Sequence, residues 1–108
     1  ITPIYLDGGE FSMAHLNNTV YVSRLTTDKI AYSPGESVEV RGAVFLTNVT
    51  LDVIEKNGGS ITGYPKTIVL TDNEFTDSFS ILPQGYYEII AYDSTYQYLN
   101  AKREIRII

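Results

Sequence analysis

Thr27-Asp28-Lys29-Ile30-Ala31-Tyr32-Ser33-Pro34-Gly35-Glu36-Ser37-Val38-Glu39-Val40-Arg41-Gly42 carries the strongest structural signal in the chain. It predicts a short strand, a sharp turn and a longer strand. Pro34 fixes φ at the second turn position, and Gly35 accepts positive φ at the third, as a type II turn demands. Beyond the turn, Val38, Val40 and Val44 alternate with Ser37, Glu39 and Arg41. That is period two, with one face apolar and the other wet. Gly42 falls among the apolar positions, where a missing side chain lets a neighbouring segment approach closely.

The same grammar runs outward in both directions. Thr19 to Leu25 is rich in β-branched and aromatic residues and reads as a strand. Val49, Leu51 and Val53 form the inward face of the next one. Asn57-Gly58-Gly59 predicts a type I′ hairpin turn, with positive φ at its central residues. Ser60 to Gly63 and Lys66 to Leu70 read as short strands around Pro65. Thr71 to Glu74 is a turn, after which Phe75, Phe79 and Ile81 alternate with polar residues. Leu82-Pro83-Gln84-Gly85 turns the chain into a strand from Tyr86 to Tyr92. After the Asp93-Ser94-Thr95 loop, Tyr96 to Ile108 forms the last strand, with a break near Asn100. No stretch carries an apolar stripe at helical spacing. Seven to nine short strands with regular turn signals predict an all-β, immunoglobulin-like antiparallel β-sandwich of the E-set or fibronectin type. It spans residues 19–108. Residues 1–18, with Pro3 and Asp7-Gly8-Gly9, read as an N-terminal segment or an extra edge hairpin.

Composition narrows the function classes. The 108 residues suit one domain that buries about 65% of its unfolded surface. There is no cysteine, so disulfides and thiolate metal sites are excluded. A net charge of −5 argues against a nucleic-acid backbone as partner. No apolar run approaches the roughly 18 residues of a membrane-spanning helix. The chain begins with Ile1, which leads to the expectation of a processed product or an excised ectodomain.

The quoted stretch also resembles the opening of the second macroglobulin-type domain and of immunoglobulin-like domains on microbial surface proteins. That pattern is T-D-K, then Y-x-P-G-E, then alternating valines and a glycine. Val49 to Gly59 is similar to the family's V-x-V-x-V strand and N-G turn. Phe79-Ser80-Ile81 with Pro83, Gly85 and Tyr87 is similar to its F-x-L-P-x-G-x-Y passage, and Glu104-Ile105-Arg106-Ile107 to its last strand. The resemblance covers about residues 27–107. It implies a spacer, stalk or adhesive module, and it carries over no catalytic or binding position, since the matching residues are turn and core residues.

Candidate sites are few. His15 is the only histidine, so imidazole metal sites and Ser-His-Asp catalysis start without partners. Asp72, Asn73, Glu74 and Asp77 offer oxygen ligands for calcium, but they lack an ordered loop and read better as a polar turn. Asn17 and Asn48 each begin an N-glycosylation pattern. Nine tyrosines are the clearest excess. Tyr87 fits the inward corner tyrosine of such sandwiches. Tyr92, Tyr96 and Tyr98 surround a polar loop, and they are the expected contact surface.

The expectation is therefore a non-enzymatic structural or adhesive module of a secreted or cell-surface glycoprotein, with no cofactor and no metal. Its expected partners are neighbouring domains, surface proteins or copies of itself. The runner-up is a carbohydrate-binding accessory module of an extracellular hydrolase, which needs exposed and roughly coplanar aromatic rings. A small hydrolase is disfavoured by the missing nucleophile–base pair.

Overall fold

A computed structural model describes residues 11–16 and 19–108, and every described element is a strand. In chain order they are β1 (Phe11–Leu16), β2 (Thr19–Thr27), β3 (Ala31–Tyr32), β4 (Ser37–Ala43), β5 (Val49–Glu55), β6 (Lys66–Ile68), β7 (Glu74–Ser80), β8 (Gly85–Asp93) and β9 (Asn100–Ile107). They form a four-stranded sheet, β1-β2-β4-β7, and a five-stranded sheet, β3-β9-β8-β5-β6. Alternation places Val38 and Val40 of β4, with Leu25 and Phe75, on the inner face of the first. Val49, Leu51 and Val53 of β5, with Tyr87, Ile89 and Ala91 of β8, line the inner face of the second. These residues belong to one hydrophobic cluster, so the two sheets share a core.

Pairing is antiparallel except between β3 and β9, which run parallel. That corrects the all-antiparallel expectation. The chain leaves β2, crosses to the other sheet at β3 and returns through the Pro34-Gly35 turn to β4, so β3 meets β9 from the same direction. β2 changes neighbours along its length: Thr19 to Arg24 pair with β1, and Arg24 to Thr27 with β4.

The deciding stretch folds as its residues dictate. Gly35 takes φ 82° and Glu36 N donates to Ser33 O at 3.0 Å, closing the turn. The Glu36 carboxylate accepts from Ser33 N at 2.9 Å and pairs with Lys29. Tyr32 is buried, and its hydroxyl donates to Asp28 Oδ1 at 2.7 Å while accepting from Lys29 N at 2.8 Å. Thr27 Oγ1 accepts from Arg103 Nε at 2.8 Å. The T-D-K and Y-x-P-G-E residues are thus two halves of one hydrogen-bonded corner. Gly42 admits the Phe75 ring so closely that a Cβ would lie 1.9 Å from Phe75 Cε2.

Other expectations need correcting. Asn57, Gly58 and Gly59 are not among the positive-φ residues, so that turn is not type I′. The two-residue turn of that kind is Asp72-Asn73, at φ 54° and 60°, with Thr71 and Glu74 exchanging backbone hydrogen bonds. Val44 does not continue the inward row. β4 ends at Ala43, and Val44 turns outward at φ 64°. Of the two short strands expected around Pro65, only Lys66–Ile68 forms. Tyr96 to Leu99 is a loop rather than the start of β9.

On the flank where β6 and β7 form the edges of their sheets, one latch spans the gap. Tyr64 donates its hydroxyl to Asp77 Oδ2 at 2.6 Å and Lys66 Nζ donates to Asp77 Oδ1 at 2.8 Å. Lys66 also lies 5.1 Å from the centre of the Tyr64 ring, which packs T-shaped against Phe79. Burial, reinforced by Asp77, pushes the Tyr64 phenol far above its ordinary value.

Candidate functional site

Asp93 closes β8 at one end of the molecule, and it is wholly buried. Its Oδ2 accepts from Leu46 N and Thr47 N, each at 2.7 Å. Its Oδ1 accepts from Thr47 Oγ1 at 2.5 Å, Tyr96 N at 2.9 Å and Thr95 N at 3.0 Å. One carboxylate thereby holds two loops, that between β4 and β5 and that between β8 and β9. The hydrogen bonds to Thr95 and Tyr96, two and three residues on, are the local turn that an aspartate side chain forms with its own backbone. Burial alone would raise the Asp93 carboxyl, but the bonds from Thr47, Tyr96 and Thr95 outweigh it and hold the group below its ordinary value.

Backbone contacts complete the brace. Ser94 N donates to Asn48 O at 2.7 Å, Leu99 N to Tyr96 O at 2.8 Å, and Asp93 N to Leu99 O at 2.9 Å. Val44 enters this region in the left-handed conformation, a strain of about 1–3 kcal/mol for a β-branched residue. Val44 N donates to Asn73 O at 2.8 Å, and the next residues are fixed on Asp93.

Of the three predicted tyrosines, two are in ring contact. Tyr96 and Tyr98 meet in the loop with ring centres 6.1 Å apart and planes at 66°. Tyr98 is 48% exposed and Tyr96 is half-buried. Tyr92 lies instead on the outer face of β8, across from Thr50 and Asn100. There it borders a shallow depression of about 260 Å3 with Ile90, Gln97, Asn100 and Lys102. Asn100 Nδ2 donates to the carbonyls of Gln97 and Tyr98 at 3.2 and 3.3 Å, which fixes the loop above that depression. Tyr92 is thus held by a strand, and Tyr96 and Tyr98 by the loop that follows it.

The acidic cluster is dispersed as well. Asp72 and Asn73 form the hairpin turn, whereas Asp77 faces inward to Tyr64 and Lys66. Among the described residues no three His, Cys, Asp or Glu side chains converge as a metal site would require. Asn48 is exposed in the braced loop, and the Thr50 hydroxyl of its sequon meets Ser94 Oγ at 3.0 Å. Asn17 and the side chain of His15 lie outside the described residues, as do residues 1–10 of the expected N-terminal segment. The sequence reading named Asp93 only as a loop residue. The signal for it was Asp-Ser-Thr directly after an apolar strand.

No protein-family model matches the chain, and no curated protein matches it. Solved structures do. Superoxide reductase (neelaredoxin) from Ignicoccus hospitalis superimposes with a TM-score of 0.53 at 14% identity, covering 80% of each chain. A variant of that enzyme gives 0.50 at 13% identity, covering 92% of this chain and 82% of its own.

These neighbours overturn the macroglobulin-type recognition, because superoxide reductases are a different β-fold family. The motif that carried the resemblance consists of turn and corner residues, which serve any two-sheet fold with a tight turn at that place. The expected non-enzymatic, adhesive glycoprotein module falls with it: these two structures of similar architecture are superoxide reductases. At this level of identity the likeness is one of fold.

Proposed function

We propose that the Asp93 end is the working surface of this domain, and that it engages a protein surface, either a neighbouring domain or a separate chain, through Tyr96 and Tyr98. The observation that carries the reading is the buried Asp93 carboxylate, which holds both loops through five hydrogen bonds and leaves Tyr98 exposed on a fixed support. Pre-organised loops lose little entropy on binding, and tyrosines supply apolar area together with a hydroxyl. Residues 94–98 carry no charge. Two rings at 66° suit a protein surface better than the flat face of a sugar ring. The immunoglobulin-like strand arrangement is part of the same proposal, supported by the Tyr87 corner, where the hydroxyl donates to Pro83 O at 2.9 Å.

The test is a photo-crosslinking amino acid placed at position 98 in the parent protein, with position 67 on β6 as control. Crosslinks to polypeptide at 98 and not at 67 are expected. Equal yields at both positions would sink the reading.

A second reading is favoured by one observation, the fold shared with superoxide reductases over most of both chains. It makes the protein an oxidoreductase. Delivering one electron to superoxide requires a centre that cycles by one electron, in practice a redox metal with imidazole or thiolate ligands. This chain has one histidine and no cysteine, and its described residues assemble no metal-binding group. Its own side chains do not fit such a centre, which a redox role would have to draw from another part of the protein or from a partner. Anaerobic loading with ferrous iron, followed by desalting and a superoxide-consumption assay, decides between the two. One retained iron per chain with superoxide consumed would replace the first reading.

A further inference from the structure

At the end of the molecule opposite Asp93, the β5–β6 and β7–β8 connections enclose a cleft of about 400 Å3. Its floor is Ile81 and the Tyr87 ring, both buried, and its walls are Ile61 and Leu82. Leu82 is 72% exposed, an apolar side chain standing in water at the rim. Ser60 adds a hydroxyl. The charge at this site is Glu55, the last residue of β5, paired in register with Tyr87. The ion pairs formed among the described residues use Glu36, Glu104 and Asp77, so the Glu55 carboxylate is left without a cation. Its field reaches the cleft floor: after burial, it is the second influence raising the Tyr87 phenol. Tyr87 itself is committed to Pro83 O and does not compete for a ligand.

We propose that this cleft binds a small amphiphilic cation, with an aromatic or aliphatic body on Ile61, Ile81 and Leu82 and an ammonium group at Glu55. The volume falls at the lower end of the roughly 300–1,000 Å3 of small-molecule sites, so the ligand is of fragment size. An apolar floor with one carboxylate at the rim selects charge sign as well as shape. An anion of equal size meets repulsion, and a neutral analogue loses only the ion pair. Because Glu55 is exposed, that pair accounts for about two- to fivefold in affinity, the range for surface ion pairs.

The test is an amide NMR titration of the intact chain with 2-phenylethylammonium, using 2-phenylethanol and 3-phenylpropionate as neutral and anionic controls. The cation is expected to give saturable shifts confined to Ser60–Thr62 and Ser80–Leu82, with the alcohol weaker by about two- to fivefold and the anion not saturating. Glu55→Gln, at an exposed position, should lower cation affinity to that of the alcohol and leave the alcohol unchanged. Leu82→Ser should weaken both. Equal binding of cation and alcohol, insensitivity to Glu55→Gln, or shifts centred elsewhere would each overturn the proposal.

Discussion

The two ends of this molecule solve the same problem with opposite chemistry. At one, the loops hang on Asp93, a charged group taken wholly out of water and satisfied by its neighbours. At the other, the turns hang on Tyr87, a neutral phenol whose single hydrogen bond reaches Pro83 O, and on the Pro34-Gly35 turn, closed by Glu36 N on Ser33 O and by Ser33 N on the Glu36 carboxylate. A buried charge is tolerable only when every lone pair is used, so the Asp93 end is ordered but unforgiving. The Tyr87 end tolerates loss and can leave apolar surface open, as its cleft does.

Asp93→Ala is the most damaging change expected at either end. It leaves backbone donors from both loops unsatisfied, and a cost of about 3–5 kcal/mol is expected in chemical denaturation. Asp93→Asn should fall between this variant and the parent. The pH dependence sharpens the contrast. The Asp93 pKa is lowered on folding, so its contribution is present above the ordinary carboxylate value near 4 and is lost as pH falls through the lower folded value. Tyr87 is raised, so its contribution is present below the ordinary phenol value near 10 and is lost at higher pH. Asp28, lowered by Tyr32 and Glu39 N against the opposing effect of burial, adds a smaller acid-sensitive share, because it is exposed. Asp93→Asn should therefore make the acid limb shallower, leaving the shares of Asp28 and Glu36. A limb as steep as the parent's would place the acid-sensitive group elsewhere.

Gly35→Val at the other end should cost roughly 1–3 kcal/mol, since it forces a β-branched residue to φ 82° with its Cβ 3.3 Å from Leu82 Cδ2. An unchanged denaturation midpoint would show that the turn relaxes. Tyr87→Phe should cost only about 0.5–1.5 kcal/mol, the net value of one hydrogen bond. If it costs as much as Asp93→Ala, the two ends are alike after all. The smallest effect, and the one of opposite sign, is Val44→Asn. Asparagine accepts the left-handed conformation, so a gain of about 0.5–1 kcal/mol in thermal stability is expected. A loss there would mean that the Val44 side chain contributes packing that offsets its strain.

How much of this was legible in the sequence follows from the range of each signal. Alternation is local and strong, so Val38, Val40, Val49, Leu51 and Val53 were placed inward correctly, and Tyr87, Ile89 and Ala91 with them. The Pro34-Gly35 turn was equally plain, because only one backbone geometry suits that pair. Asn57-Gly58 misled because its preference is statistical. The chain there closes Gly58 N onto Glu55 O without positive φ, and the two-residue turn falls instead at Asp72-Asn73. Val44 broke the pattern because tertiary contacts at the Asp93 end outweigh its propensity. Asp93 was legible only as a local turn, for a different reason. Two of its partners, Leu46 and Thr47, lie more than forty positions away, and no local pattern reports a hydrogen bond across that separation. Family membership failed for the same cause turned round: the residues that matched were local, and they encode a corner rather than an activity.

The latch on the β6–β7 flank also bears on how the molecule behaves in crowded solution. Among the described residues β7 is an edge strand seven residues long, the kind of surface on which chains zip together into fibres. Its middle residue is Asp77, turned toward the core and held there by Tyr64 and Lys66. A foreign strand laid flat along β7 would crowd the bridge that crosses this flank, and displacing the bridge would strand a carboxylate beside apolar neighbours such as Phe79. The tie that joins the sheets at this flank therefore also discourages the molecule from recruiting its own copies into an aggregate.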